Sequence, residues 1–256
     1  MRARSAWQWL RVGFAAASFA GFGSGAFLLS VLVLPLVSLV TPDRELRIRR
    51  CQRIVQGAFR LFHDFMRIAG LVDWNPRRWP LRLPDHPVVV VANHPTLIDI
   101  SALVSLLGPV CYVAKRSLFR NPLVGPLLNW CGQVPGGGAT LHESVQAIDA
   151  AVDRLGRGHS LLLFPEGTRS PPGGLHHFHA GAFEIARRAG VPILPVVVRA
   201  EPPGLYRGLA WHQIPTRSIR LHVEFLPEFD PAQLGAGDTM RDVRVRVEAA
   251  IRARLA

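Results

Sequence analysis

Three observations predict an α/β fold for this chain, a mixed and largely parallel sheet flanked by helices, behind an N-terminal membrane-associated helical segment. Short β-branched, apolar runs alternate with helical stretches from about residue 88 onward. No charged residue occurs between residues 12 and 40. Two polar, turn-forming runs, at residues 93–99 and 165–170, follow apolar runs directly, where ligands bind in such sheets.

The uncharged run comes first. As helix, residues 12–40 would reach roughly 43 Å against a hydrocarbon core of about 30 Å. Residues 1–42 are therefore expected to be a membrane anchor. It is either one tilted span or a re-entrant segment broken near Gly21, Gly23, Gly25 or Pro35. Arg2, Arg4 and Arg11 precede it, and Arg44, Arg47, Arg49, Arg50 and Arg53 follow it. The heavier positive flank predicts that the rest of the chain is cytoplasmic. Residues 43–70 read as a basic amphipathic helix, in which Val55, Phe59, Phe62 and Met66 recur at helical spacing among arginines. That stripe either lies among lipid headgroups or packs on the domain that follows.

Residues 71–256 form that domain. Strands are predicted at residues 88–93, 110–114, 160–164, 193–199 and 219–225, and helices at 95–107, 122–130, 144–155, 180–189 and 238–255. Residues 201–217, with Pro202, Pro203, Trp211 and Pro215, make a long connection of the kind that is often functional.

Thirty Lys and Arg against 18 Asp and Glu give a net charge of +12, so the surface favours anionic partners. No zinc-knuckle, helix-turn-helix or RNP pattern points to nucleic acid. Cys51, Cys111 and Cys131 are odd in number and far apart, which fits a reduced compartment.

The run Asn93-His94-Pro95-Thr96-Leu97-Ile98-Asp99 holds the first candidate chemistry. Residues five apart on one helix point about 140° away from each other, so His94 must precede the helix for Asp99 to reach it. With His94 near the N-cap and Pro95 in the first turn, Asp99 can hold one ring nitrogen and leave the other outward, which makes a general base. In Pro165-Glu166-Gly167-Thr168-Arg169-Ser170 a carboxylate and a guanidinium share a turn, and the guanidinium's planar fork of donors suits phosphate or carboxylate. His176, His177 and His179 lack Cys or acidic partners at metal-site spacing, so no metal is predicted.

These two runs together resemble the lysophospholipid acyltransferase family, which includes the 1-acyl-glycerol-3-phosphate acyltransferases. The resemblance runs in order over about residues 88–200. Between the runs, residues 112–118 with Asn121, Pro122, Gly125 and Gly132 look like the family's second block, and residues 191–196 look like its fourth. It implies an acyl chain moved from acyl-CoA or acyl carrier protein to a lysophospholipid hydroxyl, with no cofactor and direct attack on the thioester. The default acceptor would be lysophosphatidic acid. His94 and Asp99 would then be catalytic, while Asn93, Lys115, Arg116, Glu166, Gly167, Thr168, Arg169 and His179 would bind substrate. Localisation would be the bacterial inner membrane, with the catalytic domain on the cytoplasmic side and membrane lipids as partners.

Two departures bear on the acceptor. The family's second block usually ends in an Arg soon after its closing glycine, but here no basic residue follows Gly132 until His142. Where the family commonly has a lysine after the second run, this chain has His179. A specialised lipid alcohol is therefore an alternative acceptor, in line with a general likeness to members of aryl-polyene or xanthomonadin-type pathways. A membrane-associated scaffold without activity is a more remote alternative.

Overall fold

The computed structural model describes residues 6–78, 81–138, 140–210, 212–231 and 239–255. Trp211, singled out above, lies outside them. Seven strands form one sheet: β1 (Val72–Asp73), β2 (Val89–Ala92), β3 (Cys111–Lys115), β4 (Val134–Gly136), β5 (Leu161–Leu163), β6 (Ile193–Glu201) and β7 (Ile219–Phe225). Their order is β1-β7-β6-β2-β5-β3-β4, and every pairing is parallel except β6 with β7. The five strands β6, β2, β5, β3 and β4 thus end along one edge of the sheet.

Burial on both faces explains why β2 shows no polar alternation. Val88, Val90 and Ala92 enter one core with Trp74, Leu103 and Leu162. Val89 and Val91 enter the other with Phe178, Phe183 and Ile251. The helices are α1 (Ala6–Leu28), α2 (Leu34–Leu39), α3 (Arg44–Ile68), α4 (Asp99–Leu107), α5 (Gly125–Trp130), α6 (Leu141–Gly156), α7 (Gly181–Ala189) and α8 (Met240–Leu255).

The five predicted strands lie where expected, with ends moved by a residue or two. Two strands were not foreseen. β1 has two residues, and β4 has the sequence Val134-Pro135-Gly136, which reads as a turn. Proline is tolerated in β4 because it is an edge strand. The first domain helix also differs: it begins at Asp99, and residues 95–98 are a turn. Thr96 donates its N–H and its hydroxyl to the Asp99 carboxylate, a local alternative to helical bonding.

α1 continues through a π turn at Leu29–Val33 into α2, so Ala6–Leu39 is one apolar run of 34 residues, long and apolar enough to cross a bilayer. It packs on α3, where Phe22 stacks on Phe59 with ring centres 6.0 Å apart and meets Phe62 edge-on. Arg11 is buried and donates to the carbonyls of Gly70 (2.6 Å), Pro215 and Arg217 (3.1 Å each). Val55 and Met66 are buried, and Phe59 and Phe62 pack against the core. Thus the predicted stripe faces inward. A different apolar line, Leu61, Phe65 and Ile68, faces out.

His63 on α3 is fully buried against α4. Ser101 donates its hydroxyl to the Ile98 carbonyl and accepts from His63 Nε2, 3.0 Å away, while His63 Nδ1 has no partner among the described residues. Burial pushes this imidazole down to about 3, with the Asp64 carboxylate opposing. The folded chain keeps the ring neutral where the unfolded chain would protonate it near about 6.5. Its contribution to stability is therefore complete above that pH and is lost as pH falls toward about 3, by about 1.4 kcal/mol per pH unit. Urea unfolding in detergent between pH 6.5 and 5 is expected to show this slope. His63→Gln should flatten it, and an unchanged slope would assign the acid sensitivity elsewhere.

Candidate active site

β2 and β5 are hydrogen-bonded neighbours, so the loops leaving their ends, residues 93–98 and 164–170, lie side by side. His94 Nδ1 is 2.8 Å from Asp99 Oδ2. The Asp99 carboxylate is fully buried and already accepts from the Thr96 N–H at 2.6 Å and from the Thr96 hydroxyl. With every neighbour donating to it, the ring proton belongs on Nδ1, and Nε2 keeps its lone pair. The imidazole is stacked on Phe164, with ring centres 4.2 Å apart and planes inclined by 22°. One side chain fixes its tautomer and the other its plane. An imidazole held this way can take a proton at Nε2 and return it.

Glu166 acts from inside. Its side chain is 3% exposed, and its carboxylate accepts from the His94 N–H (3.1 Å), the Ser170 hydroxyl and the His176 N–H (2.8 Å). Ser170 also receives the His94 N–H on its Oγ (3.0 Å) and gives its own N–H to the His94 carbonyl (2.8 Å). Both backbone groups of His94 are therefore gripped by the second loop. Asn93 is buried too: its amide donates to the Val198 carbonyl at 2.8 Å and accepts from the Val198 N–H at 2.7 Å. It ties the end of β2 to β6.

Gly167, Thr168, Arg169 and His179 gather at the mouth of the same turn. Gly167 has φ +65°, a left-handed conformation that favours glycine, and the His179 ring lies 3.4 Å from where its Cβ would be. Arg169 Nη1 donates to the Leu205 carbonyl at 2.9 Å. Lys115 stands exposed at the end of β3, two strands from β2, or about 10 Å across the sheet. Arg116 turns away to α6, where its Nη2 donates to the Glu143 carbonyl and its Nε lies 3.8 Å from the Glu143 carboxylate. A cleft of about 200 Å³ borders the first loop, lined by Pro95, Thr96, Pro171, Gly174, Ala200 and Tyr206 among others.

Four residues that shape this site had no assigned role in the sequence reading. Thr96 and Ser170 lie within the two runs, and their hydroxyls beside turn residues were a usable signal. Phe164 had only its place at a strand end, and Leu205 had none.

Residues 76–199 match the Acyltransferase family. Those residues form an acyltransferase-family domain. The 1-acyl-sn-glycerol-3-phosphate acyltransferase of Neisseria meningitidis is 29% identical over 185 residues, covering 66% of this chain and 71% of that protein. A chloroplastic enzyme of the same name from Brassica napus is 35% identical over 114 residues, or 44% of this chain. The present chain spans about a third (33%) of that relative's length. The crystal structure of the 1-acyl-sn-glycerophosphate (LPA) acyltransferase PlsC from Thermotoga maritima shares the fold, with a TM-score of 0.71 at 22% identity over 97% of this chain and 94% of that one. The aryl-polyene likeness finds no support in these relatives, which are named for glycerophosphate acylation.

Within this acyltransferase-family domain, Asn93→Ala would leave two buried backbone groups of Val198 unpaired. Each such loss costs about 1–3 kcal/mol. A fall of about 2–4 kcal/mol in unfolding free energy is expected from urea melts, and a change below about 0.5 kcal/mol would show that the Asn93 bridge is replaceable.

Proposed function

We propose that the protein is a membrane-associated O-acyltransferase that converts lysophosphatidic acid to phosphatidic acid, using acyl-CoA or acyl carrier protein as donor. The observation that carries the mechanism is the 2.8 Å bond from His94 Nδ1 to a buried carboxylate. As the acceptor oxygen attacks the thioester carbonyl carbon, its proton passes to His94 Nε2. Asp99 steadies the imidazolium that forms. Collapse of the tetrahedral intermediate breaks the C–S bond, and the proton leaves Nε2 with the departing sulfur. The products are an ester and a free thiol, with no acyl-enzyme. Glu166 and Ser170 position His94, while Arg169, Thr168 and His179 face the acceptor. The names of the relatives support the choice of acceptor.

Membrane attachment rests on the outward faces of α1, α2 and α3. Trp9, Leu32, Leu39, Leu61 and Ile68 are all exposed, and Ile68 is 79% so. Apolar surface of this extent marks a lipid or protein contact. Because Arg11 and the Phe22 contacts dock the apolar run on α3, the proposal is an anchor that enters the bilayer beside the catalytic domain, with that domain and the flanking arginines on the cytoplasmic side.

His94→Ala is expected to lower acyl transfer from labelled acyl-CoA or acyl carrier protein by about a thousandfold or more, within the range ascribed to general-base loss in such sites. Retention of full activity would remove His94 from the mechanism. Wild-type protein should prefer lysophosphatidic acid to 1-oleoylglycerol, and the reverse preference would overturn the acceptor. Replacing Leu61, Phe65 and Ile68 together by Ser should reduce sedimentation with vesicles of phosphatidylglycerol and phosphatidylethanolamine. Undiminished sedimentation would remove this face of α3 from the lipid contact.

A further inference from the structure

The connection between β6 and β7 reaches back to both catalytic loops. The Leu205 carbonyl accepts from the Leu97 N–H at 3.0 Å and from Arg169 Nη1 at 2.9 Å. Leu205 itself is buried with φ 55°, a left-handed conformation unusual for a leucine. Two residues on, Arg207 Nη1 donates to the Thr168 hydroxyl at 2.8 Å. The two arms cross: Arg169 binds the segment that carries Arg207, and Arg207 binds the residue before Arg169.

Two guanidinium groups are thereby anchored at one turn, next to the loop that holds His94. Among the described residues neither meets a carboxylate, and each uses a single Nη atom in the bonds above, which leaves most of its five N–H donors open. Two planar forks held at one turn are well suited to the several oxygens of a phosphomonoester.

The β4 turn, at the far end of the same sheet edge, carries no basic residue from Val134 to Leu141. At the end of β4, a Cβ on Gly136 would overlap the Val113 side chain, and one on Gly138 would overlap the Cβ of Glu143. Gly137 between them faces open space but has φ +66°, a conformation that favours glycine, and Glu143 brings a carboxylate to that turn.

We propose that Arg207, together with Arg169, holds the phosphate of the acceptor, in place of a cation from the β4 turn. The proposal rests on the function argued above. Arg207 is a binding residue, and its exposure makes substitution there mild for folding.

The test is equilibrium binding to full-length protein in detergent micelles, made in the His94→Ala background so that no turnover occurs. The probes are 1-oleoyl lysophosphatidic acid, 1-oleoylglycerol and coenzyme A. Added to that background, Arg207→Gln is expected to weaken lysophosphatidic acid binding about tenfold and leave 1-oleoylglycerol unchanged, while Arg207→Lys recovers part of the loss. In otherwise wild-type protein, Arg207→Gln should raise the KM for lysophosphatidic acid with little change in kcat. Lysophosphatidic acid binding that is lost in Arg169→Gln but kept in Arg207→Gln would overturn the role of Arg207 and leave the proposed function standing. Weakened coenzyme A binding with unchanged acceptor binding would overturn it in favour of a donor contact. Equal binding of lysophosphatidic acid and 1-oleoylglycerol before any change at position 207 would overturn the acceptor assignment itself.

Discussion

The hydrogen bond from His94 to Asp99 has to form across the start of a helix, and much of the local architecture follows from that requirement. A carboxylate in the first turn of α4 sits favourably at the positive helix end. To meet it, the imidazole must come from a segment that is not yet helical, and the turn at residues 95–98 supplies that segment. Thr96 holds the turn by giving both its donors to the same carboxylate. Asp99 thus serves three donors on two residues from one buried position. A change that removes its Oδ2 takes away the partner that fixes the tautomer of His94 as well as its place.

A second carboxylate does equivalent work one strand away. Glu166 and Ser170 hold the backbone of His94 from the loop after β5, so the position of the imidazole is set by two loops on neighbouring strands. The parallel pairing of β2 and β5 brings those loops together without a long-range turn. The antiparallel β7 then returns the chain through the connection containing Leu205, which adds a third loop to the first two. The geometry of this site is a property of three strand ends considered together.

The sequence made the sheet's central strands, the long amphipathic helix and the pairing of His94 with Asp99 legible, because each depends on local pattern: β-branched runs, helical periodicity, and the spacing of two side chains. It hid what depends on distant partners. Glu166 reads as a substrate-binding carboxylate in a polar turn, and nothing local shows that the sheet sets the N–H groups of His94 and His176 against it. Asn93 reads as a ligand residue until Val198 occupies both ends of its amide. β4 was unreadable for a different reason: Pro135 and Gly136 are turn formers, and only the edge position makes them acceptable in a strand. For Val55, Phe59, Phe62 and Met66 the pattern gave the stripe but not its partner, since a lipid surface and a protein core select the same side chains.

The packing at Gly138 restricts how this sequence can change. A larger residue there meets the first turn of α6, where Thr140 and Glu143 cap the helix reciprocally. Positions 138 and 143 are therefore coupled. An arginine at 138 requires the helix start to shift, because its Cβ would overlap the Cβ of Glu143 and crowd its backbone, and that shift disturbs the reciprocal cap. A basic residue at position 138 therefore costs stability unless the start of α6 shifts with it. The exposed connection after β6 carries no such penalty, so new charges arise there one at a time.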